Sequence, residues 1–168
     1  MRMSGSRIVV TNASPVIHLA RASHLDTLLR LYDKIYCAEA AARDIKYPQE
    51  AVDFVAKHAT VLPVKDNARV VQIQSAHPKL ALGEIETFVL SEELSAEEAL
   101  FLNTKAQNVF RQEYAAKIRD IINLPDRDTN RLTFKSEREI NQFYLALAKV
   151  IPAYKPLVKI LQSRRLVP

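Results

Sequence analysis

Arg7-Ile-Val-Val-Thr-Asn-Ala-Ser-Pro-Val-Ile-His-Leu-Ala-Arg21 is the stretch on which the fold turns. Ile8, Val9 and Val10 form a short β-branched apolar run, which at this length reads as a strand buried on both faces. The run stops at Asn12. Ser14 then offers a hydroxyl to the free amides of a helix, and Pro15 suits its first position, where a missing N–H costs nothing. Val16, Ile17, Leu19 and Ala20 continue at helical spacing. A strand, a tight turn and a helix in fifteen residues leave Asn12 at the carboxyl end of the strand, the edge at which open α/β sheets bind ligands and metals. The bland alternative for Asn12 is a turn residue and nothing more.

The whole chain bounds what this unit can belong to. Its 168 residues, 48% of them apolar, suffice for one domain with its own core and are too hydrophobic for disorder. No apolar run approaches the roughly 20 residues that cross a bilayer. Met1 to Ser6 lacks the apolar segment of a secretory signal, so a cytoplasmic protein without a membrane role is expected. Cys37 is the single cysteine, which excludes an internal disulfide or a cysteine-rich zinc site, and its Ile35-Tyr36 context reads as core. The net charge of +5 is uneven: residues 101–168 hold 13 Lys plus Arg against 6 Asp plus Glu, and the first hundred hold 11 against 13. A basic half of this kind suits a surface laid on a polyanion, or else is the ordinary coat of surface helices.

Further along, Ser23 and Asp26 have the form of a capping box for a helix over 24–31. Residues 34–37 read as a strand, 39–46 as a helix ended by Tyr47-Pro48, and 48–58 as another helix. Residues 60–64 make a third strand, which Pro63 assigns to an edge or a strand end. Asp66 caps a helix that Pro78 closes. Gly83 introduces Glu84-Ile85-Glu86-Thr87-Phe88-Val89, a helix with Ile85, Phe88, Val89 and Leu94 on its inward face and both glutamates in its first turn. Residues 95–117 leave two readings open: one long helix, or a strand over 99–102, a turn at Asn103-Thr104 and a helix from Lys105. Residues 117–138 read as a short strand and a loop, 140–150 as a helix, and 154–163 as a last helix with Leu157, Ile160 and Leu161 inward.

Four patches, in order along the chain, are similar to the PIN-domain family. Thr11-Asn-Ala-Ser-Pro-Val-Ile-His-Leu-Ala-Arg21 resembles the Asp/Asn-x-Ser-Pro-Leu-Ile opening of one subfamily. Tyr36-Cys-Ala-Glu-Ala-Ala-Ala-Arg-Asp-Ile45 is similar to its strand-to-helix segment, with Asp44 at the acidic position. Leu82-Gly-Glu-Ile-Glu86 resembles its Gly-Glu-x-Glu helix start, and Val150-Ile-Pro-Ala-Tyr-Lys-Pro-Leu-Val158 its C-terminal Leu-Ile-Pro-x-x-Lys-Pro-Leu. The resemblance favours the strand at 99–102. It implies a three-layer α/β/α sandwich around a mostly parallel sheet of about four to five strands. On this reading residues 1–168 are one PIN-like domain with an insertion or extended loop near 117–138.

The function implied is that of a Mg²⁺- or Mn²⁺-dependent endoribonuclease of the toxin and antitoxin type, acting on RNA, with a homodimer and a cognate antitoxin as partners. Hard cations need oxygen ligands, and a bound water made acidic can attack a phosphodiester. Asp44, Glu84 and Asn12 are the implied metal ligands, Asn103 completes the catalytic set, and Glu86 is a lesser third carboxylate. Lys105, Arg111, Lys155, Lys159, Arg164 and Arg165 would grip RNA phosphates. The sequence departs from the family where Asn12 replaces the commoner Asp and where Asn103-Thr104 replaces an acidic pair, so metal affinity should fall. Asp126 or Asp128 in the extra length, or the RNA phosphate itself, could complete the shell. The alternative is a PIN-like module that binds RNA or protein without cleaving. His18, His24, His58 and His77 lack a metal spacing, and no nucleophile elbow or glycine-rich phosphate loop occurs.

Overall fold

A computed structural model describes residues 6–128 and 133–166, the side chains of 165 and 166 excepted. The β-branched run becomes β1 (Ile8–Thr11), and it lies at the centre of a five-stranded sheet. The other strands are β2 (Lys34–Ala38), β3 (Ala59–Leu62), β4 (Glu98–Phe101) and β5 (Ile118–Asp120), in the order β3-β2-β1-β4-β5 with every pairing parallel. This is the α/β/α architecture expected, and the strand-turn-helix reading of 98–114 holds. β3, the strand followed by Pro63, is at an edge, where a missing backbone donor is tolerated.

The period of two along each strand divides the core. Val9, Ile35, Cys37 and Leu100 face one layer, built from α1 (Ala13–Arg21), α2 (Asp26–Leu31), α4 (Gln49–His58) and α9 (Glu137–Val150). Val10, Ala38, Ala99 and Phe101 face the other, formed by α5 (Asn67–Ala76), α6 (Leu82–Glu93) and α7 (Thr104–Tyr114). In that second layer Phe88 stacks on Phe110 at 4.7 Å between ring centres, and Phe101 lies against the same ring at 5.4 Å. The short α3 (Glu39–Arg43) runs along the carboxyl edge and packs against α6.

Several local readings are corrected. Helix α1 starts at Ala13, so Pro15 lies within its first turn and Ser14 is inside the helix rather than its cap. Ser23 caps nothing: its backbone is left-handed (φ 59°), and its amide bonds Ala20 while that of His24 bonds Leu19, which closes α1. α2 accordingly begins at Asp26. α3 ends at Arg43, three residues short of the expected end, and leaves Asp44 as its C-cap. Residues 121–127 form a 3-10 turn and the short helix α8 (Leu124–Arg127) in place of a loop. Among the described side chains of α10 (Lys155–Leu166) Val158 is the buried one and Leu161 packs against the core as expected, while Leu157 and Ile160 are exposed. The cap at Asp66 is as expected, its carboxylate accepting from the Arg69 amide at 3.0 Å.

The segments after β5 share the first core layer. Ile121, Ile122, Leu124 and Phe134 are buried with Ile140, Phe143 and Leu147 of α9. At the amino edge of the sheet, Glu98 is buried among Tyr32, Arg119 and Arg127. It receives the Tyr32 hydroxyl, and the Nε atoms of Arg119 and Arg127 lie 3.3 and 3.6 Å from its oxygens. That network fastens β4 to β5 and α8, opposite the edge where the candidate site lies. Among the described residues no helix is long and apolar enough to cross a membrane.

Candidate functional site

The strand order places a topological switch between β1 and β4, since the chain moves outward from β1 through β2 and β3 and then returns to β4 on the other side. At such a switch the loops leaving the two strands part and open a crevice at the carboxyl edge. Asn12 follows β1 and Asn103 follows β4, with the Asn12 amide bonded to Leu100 O at 3.0 Å. Both asparagines line a cleft of about 390 Å³ at this edge. Asp44 enters it from the end of α3, and Glu84 from the first turn of α6. The four residues read from the sequence as a site therefore converge.

Their chemistry differs. Glu84 is buried, and its Oε1 accepts the Ala81 amide at 2.9 Å, so one oxygen caps α6 and fixes the carboxylate. Asp44 is exposed and lies against Gly83, whose missing side chain makes room for it. The Asp44 charge and, to a larger extent, burial push the Cys37 thiol behind it up to about 12. Asn12 is buried at the N-cap position of α1 yet makes no capping bond with its side chain, so its amide is available to the cleft. The Asn103 carbonyl oxygen caps α7, accepting from the Lys105 amide at 2.9 Å and the Ala106 amide at 3.4 Å. What Asn103 has left to offer is its NH₂ group, a donor suited to an anion rather than a cation.

Lys79, Ser14 and Ile17 also line the cleft, though none of them reads from the sequence as part of the site. Lys79 is exposed and adds one basic side chain to a lining that holds two carboxylates. Its only sequence signal is its place five residues ahead of Glu84. Glu86 is not on the lining; its Oε1 accepts the Ala40 amide at 3.1 Å and caps α3. Asp126 and Asp128 are also off the lining, and Asp128 Oδ2 accepts the amides of Thr133 and Phe134 at 3.1 and 2.6 Å. Asp120, at the carboxyl end of β5, is engaged by Gln107, Tyr154 and the Ile122 amide. Among the described residues no three His, Cys, Asp or Glu side chains are grouped to hold a metal.

The basic residues are spread. Lys105 borders the cleft, on the lining of an adjoining hollow. Arg111 bonds Ile118 O at 3.2 Å, at the amino end of β5 and away from the cleft. Lys155, Lys159 and Arg164 are exposed on α10, whose start is tied to the carboxyl edge by the Tyr154–Asp120 bond of 2.6 Å. The side chain of Arg165 is outside the described residues.

The fold is thus an α/β/α sandwich with carboxylates and amides gathered at the switch point of a parallel sheet. A family model described as a PIN domain matches residues 8–117, well over half of the chain, and the protein belongs to that family. No curated protein matches the sequence.

Proposed function

We propose that the protein is a divalent-ion-dependent endoribonuclease whose site is weak in the free chain and is completed by the RNA it cuts. The observation that supports this is the meeting of Asp44, Glu84, Asn12 and Asn103 in one cleft at the switch point. Two carboxylates fit Mg²⁺ or Mn²⁺, because such ions commonly bind through one or two carboxylates with substrate phosphates supplying further oxygens. Asp44 and Glu84 are the residues to hold it, with the Asn12 carbonyl as a neutral third ligand or water holder. When bound, the ion supplies an acidified water and neutralises charge on the phosphoryl oxygens.

The chain's own groups do the rest. The Ala81 amide keeps the Glu84 carboxylate aimed at the cleft. The Asn103 NH₂ and the Lys79 ammonium face the phosphate, and Lys105 and the α10 cations extend the grip along the strand. Its partners in this reading are RNA and, by family likeness, a second copy of the chain and a cognate antitoxin. The second reading, RNA binding without cleavage, is favoured by Lys79 in the lining and by the Asn103 oxygen being committed to α7.

Titration of Mn²⁺ by calorimetry, with and without a single-stranded oligoribonucleotide, separates the two. The cleaving reading expects Mn²⁺ to bind more tightly with RNA present, and Asp44→Ala and Glu84→Gln to abolish cleavage. Cleavage unchanged by a chelator would refute it; salt-sensitive RNA binding without turnover establishes the second reading.

A further inference from the structure

The cleft continues into a second hollow of about 340 Å³, and Lys79 and Asn103 line both. Its walls are of another character: Pro78, Leu80 and Ala76 from the loop between α5 and α6 and from the end of α5, with Val109 of α7 opposite. The His77 ring forms part of the wall and is held there, its Nε2 2.7 Å from Glu113 Oε2 and its edge against Tyr114. Lys105 stands at the rim with Lys79. Apolar walls of this size suit the flat face of a nucleotide-sized ligand, and two ammonium groups at the mouth suit a phosphate.

We propose that this hollow is a nucleotide subsite, taking the base of a single-stranded RNA residue next to the phosphate held by Asn103, Lys79 and Lys105. The inference rests on the proposal that the cleft acts on RNA. Two observations select this occupant: continuity with the cleft through shared residues, and cations placed between an apolar hollow and an acidic cleft. A duplex keeps its bases stacked inside, so a base can enter the hollow only from an unpaired strand. The walls offer few groups to read a base edge, so the subsite accepts any of the four bases.

The test uses the full chain in chelator, where no strand is cut. An oligoribonucleotide carrying 4-thiouridine is photo-crosslinked and the adducts are mapped by mass spectrometry; they are expected in segment 76–80 and at Val109. In parallel, affinity for the same oligonucleotide is compared with that for a sugar-phosphate strand lacking every base. Wild type should prefer the base-bearing strand about fivefold, the low end of what base contacts contribute. Val109→Gln, with its melting temperature checked, should remove that preference and leave the base-free strand bound as before. RNA that binds and crosslinks around Asn12 and Asp44 but not around 76–80 or Val109 overturns the subsite and leaves the proposed function standing. No RNA binding by any form overturns both.

Discussion

Gly83→Ala tests how the site is framed. A Cβ at this position would lie 3.0 Å from Asp44 Oδ2, 3.3 Å from Ala41 Cα and 3.4 Å from Ala41 N. The first neighbour is the free end of an exposed side chain, which swings aside at little cost; the other two are backbone of α3 and move only with the helix. Alanine gains about 0.5–1 kcal/mol over glycine in a helix, and forcing an extra methyl into a packed contact costs about 1–3 kcal/mol. The balance is a loss of roughly 0–2.5 kcal/mol, or up to about 10 °C in melting temperature for a chain of this size. The fold therefore survives, but the Asp44 carboxylate is driven out of the place it shares with Glu84. Differential scanning fluorimetry with and without Mn²⁺ should show a modest fall in the baseline and disappearance of the metal-dependent rise, with loss of RNA cleavage. A Gly83→Ala protein that keeps the full Mn²⁺ shift and the wild-type cleavage rate refutes the argument.

Asn103→Asp retains the α7 cap, since Asp serves that position as well as Asn, and adds a third negative charge; calorimetry should show Mn²⁺ binding tightened by at least about tenfold. Lys79→Ala should act in opposite directions on the two ligands, strengthening Mn²⁺ binding and lowering the salt slope of RNA binding by about one phosphate contact. Glu98→Ala removes the partner that Tyr32, Arg119 and Arg127 share at the opposite edge, leaving Arg127 with Glu97 alone, and should cost about 3 kcal/mol, near 10 °C in melting temperature, with cleavage at low temperature unchanged; Glu98→Gln should lose less. At alkaline pH, burial and the neighbouring carboxylates hold the Tyr32 and Tyr154 phenols above their ordinary value. The fold keeps these protons while the unfolded chain releases them, so stability is complete below about pH 10 and falls above it, by roughly 1.4 kcal/mol per pH unit for each proton retained. Thermal melts between pH 8 and 11 should show this fall, and Tyr154→Phe should make it shallower.

What could be read from the sequence was what nearest neighbours decide. The run at Ile8, the Asp66 cap and the Gly83-Glu84 helix start act within a few residues, and each is present as read. Ser14 and Ser23 misled because an extended Asn12 had already begun α1, and the closing turn of α1 had taken the Ser23 backbone. Glu86 has the composition of a ligand, but the α3 amide it caps is 46 residues away. Lys79 carries no periodic signal at all; it reaches the cleft because the chain leaving Pro78 crosses the carboxyl edge before α6 begins. Exposure of Leu157 and Ile160 follows in the same way from how α10 sits on α9, which helical spacing alone does not fix.

The two asparagines explain how a site can lose charge while its fold stays intact. Asn103 caps a helix, and the capping oxygen of an amide serves as well as that of a carboxylate. Asn12 opens α1 from an extended backbone that either residue adopts. At both positions the demand of the fold is met by the acid or its amide, whereas attraction for a cation is met only by the acid. Glu84 is different: it is buried with one oxygen on the Ala81 amide. An amide there could accept the same bond, yet it would leave the cleft with Asp44 as its single carboxylate and Lys79 also on its lining. Charge at Glu84 and Asp44, where an amide would also meet the demand of the fold, is what the proposed cation would need.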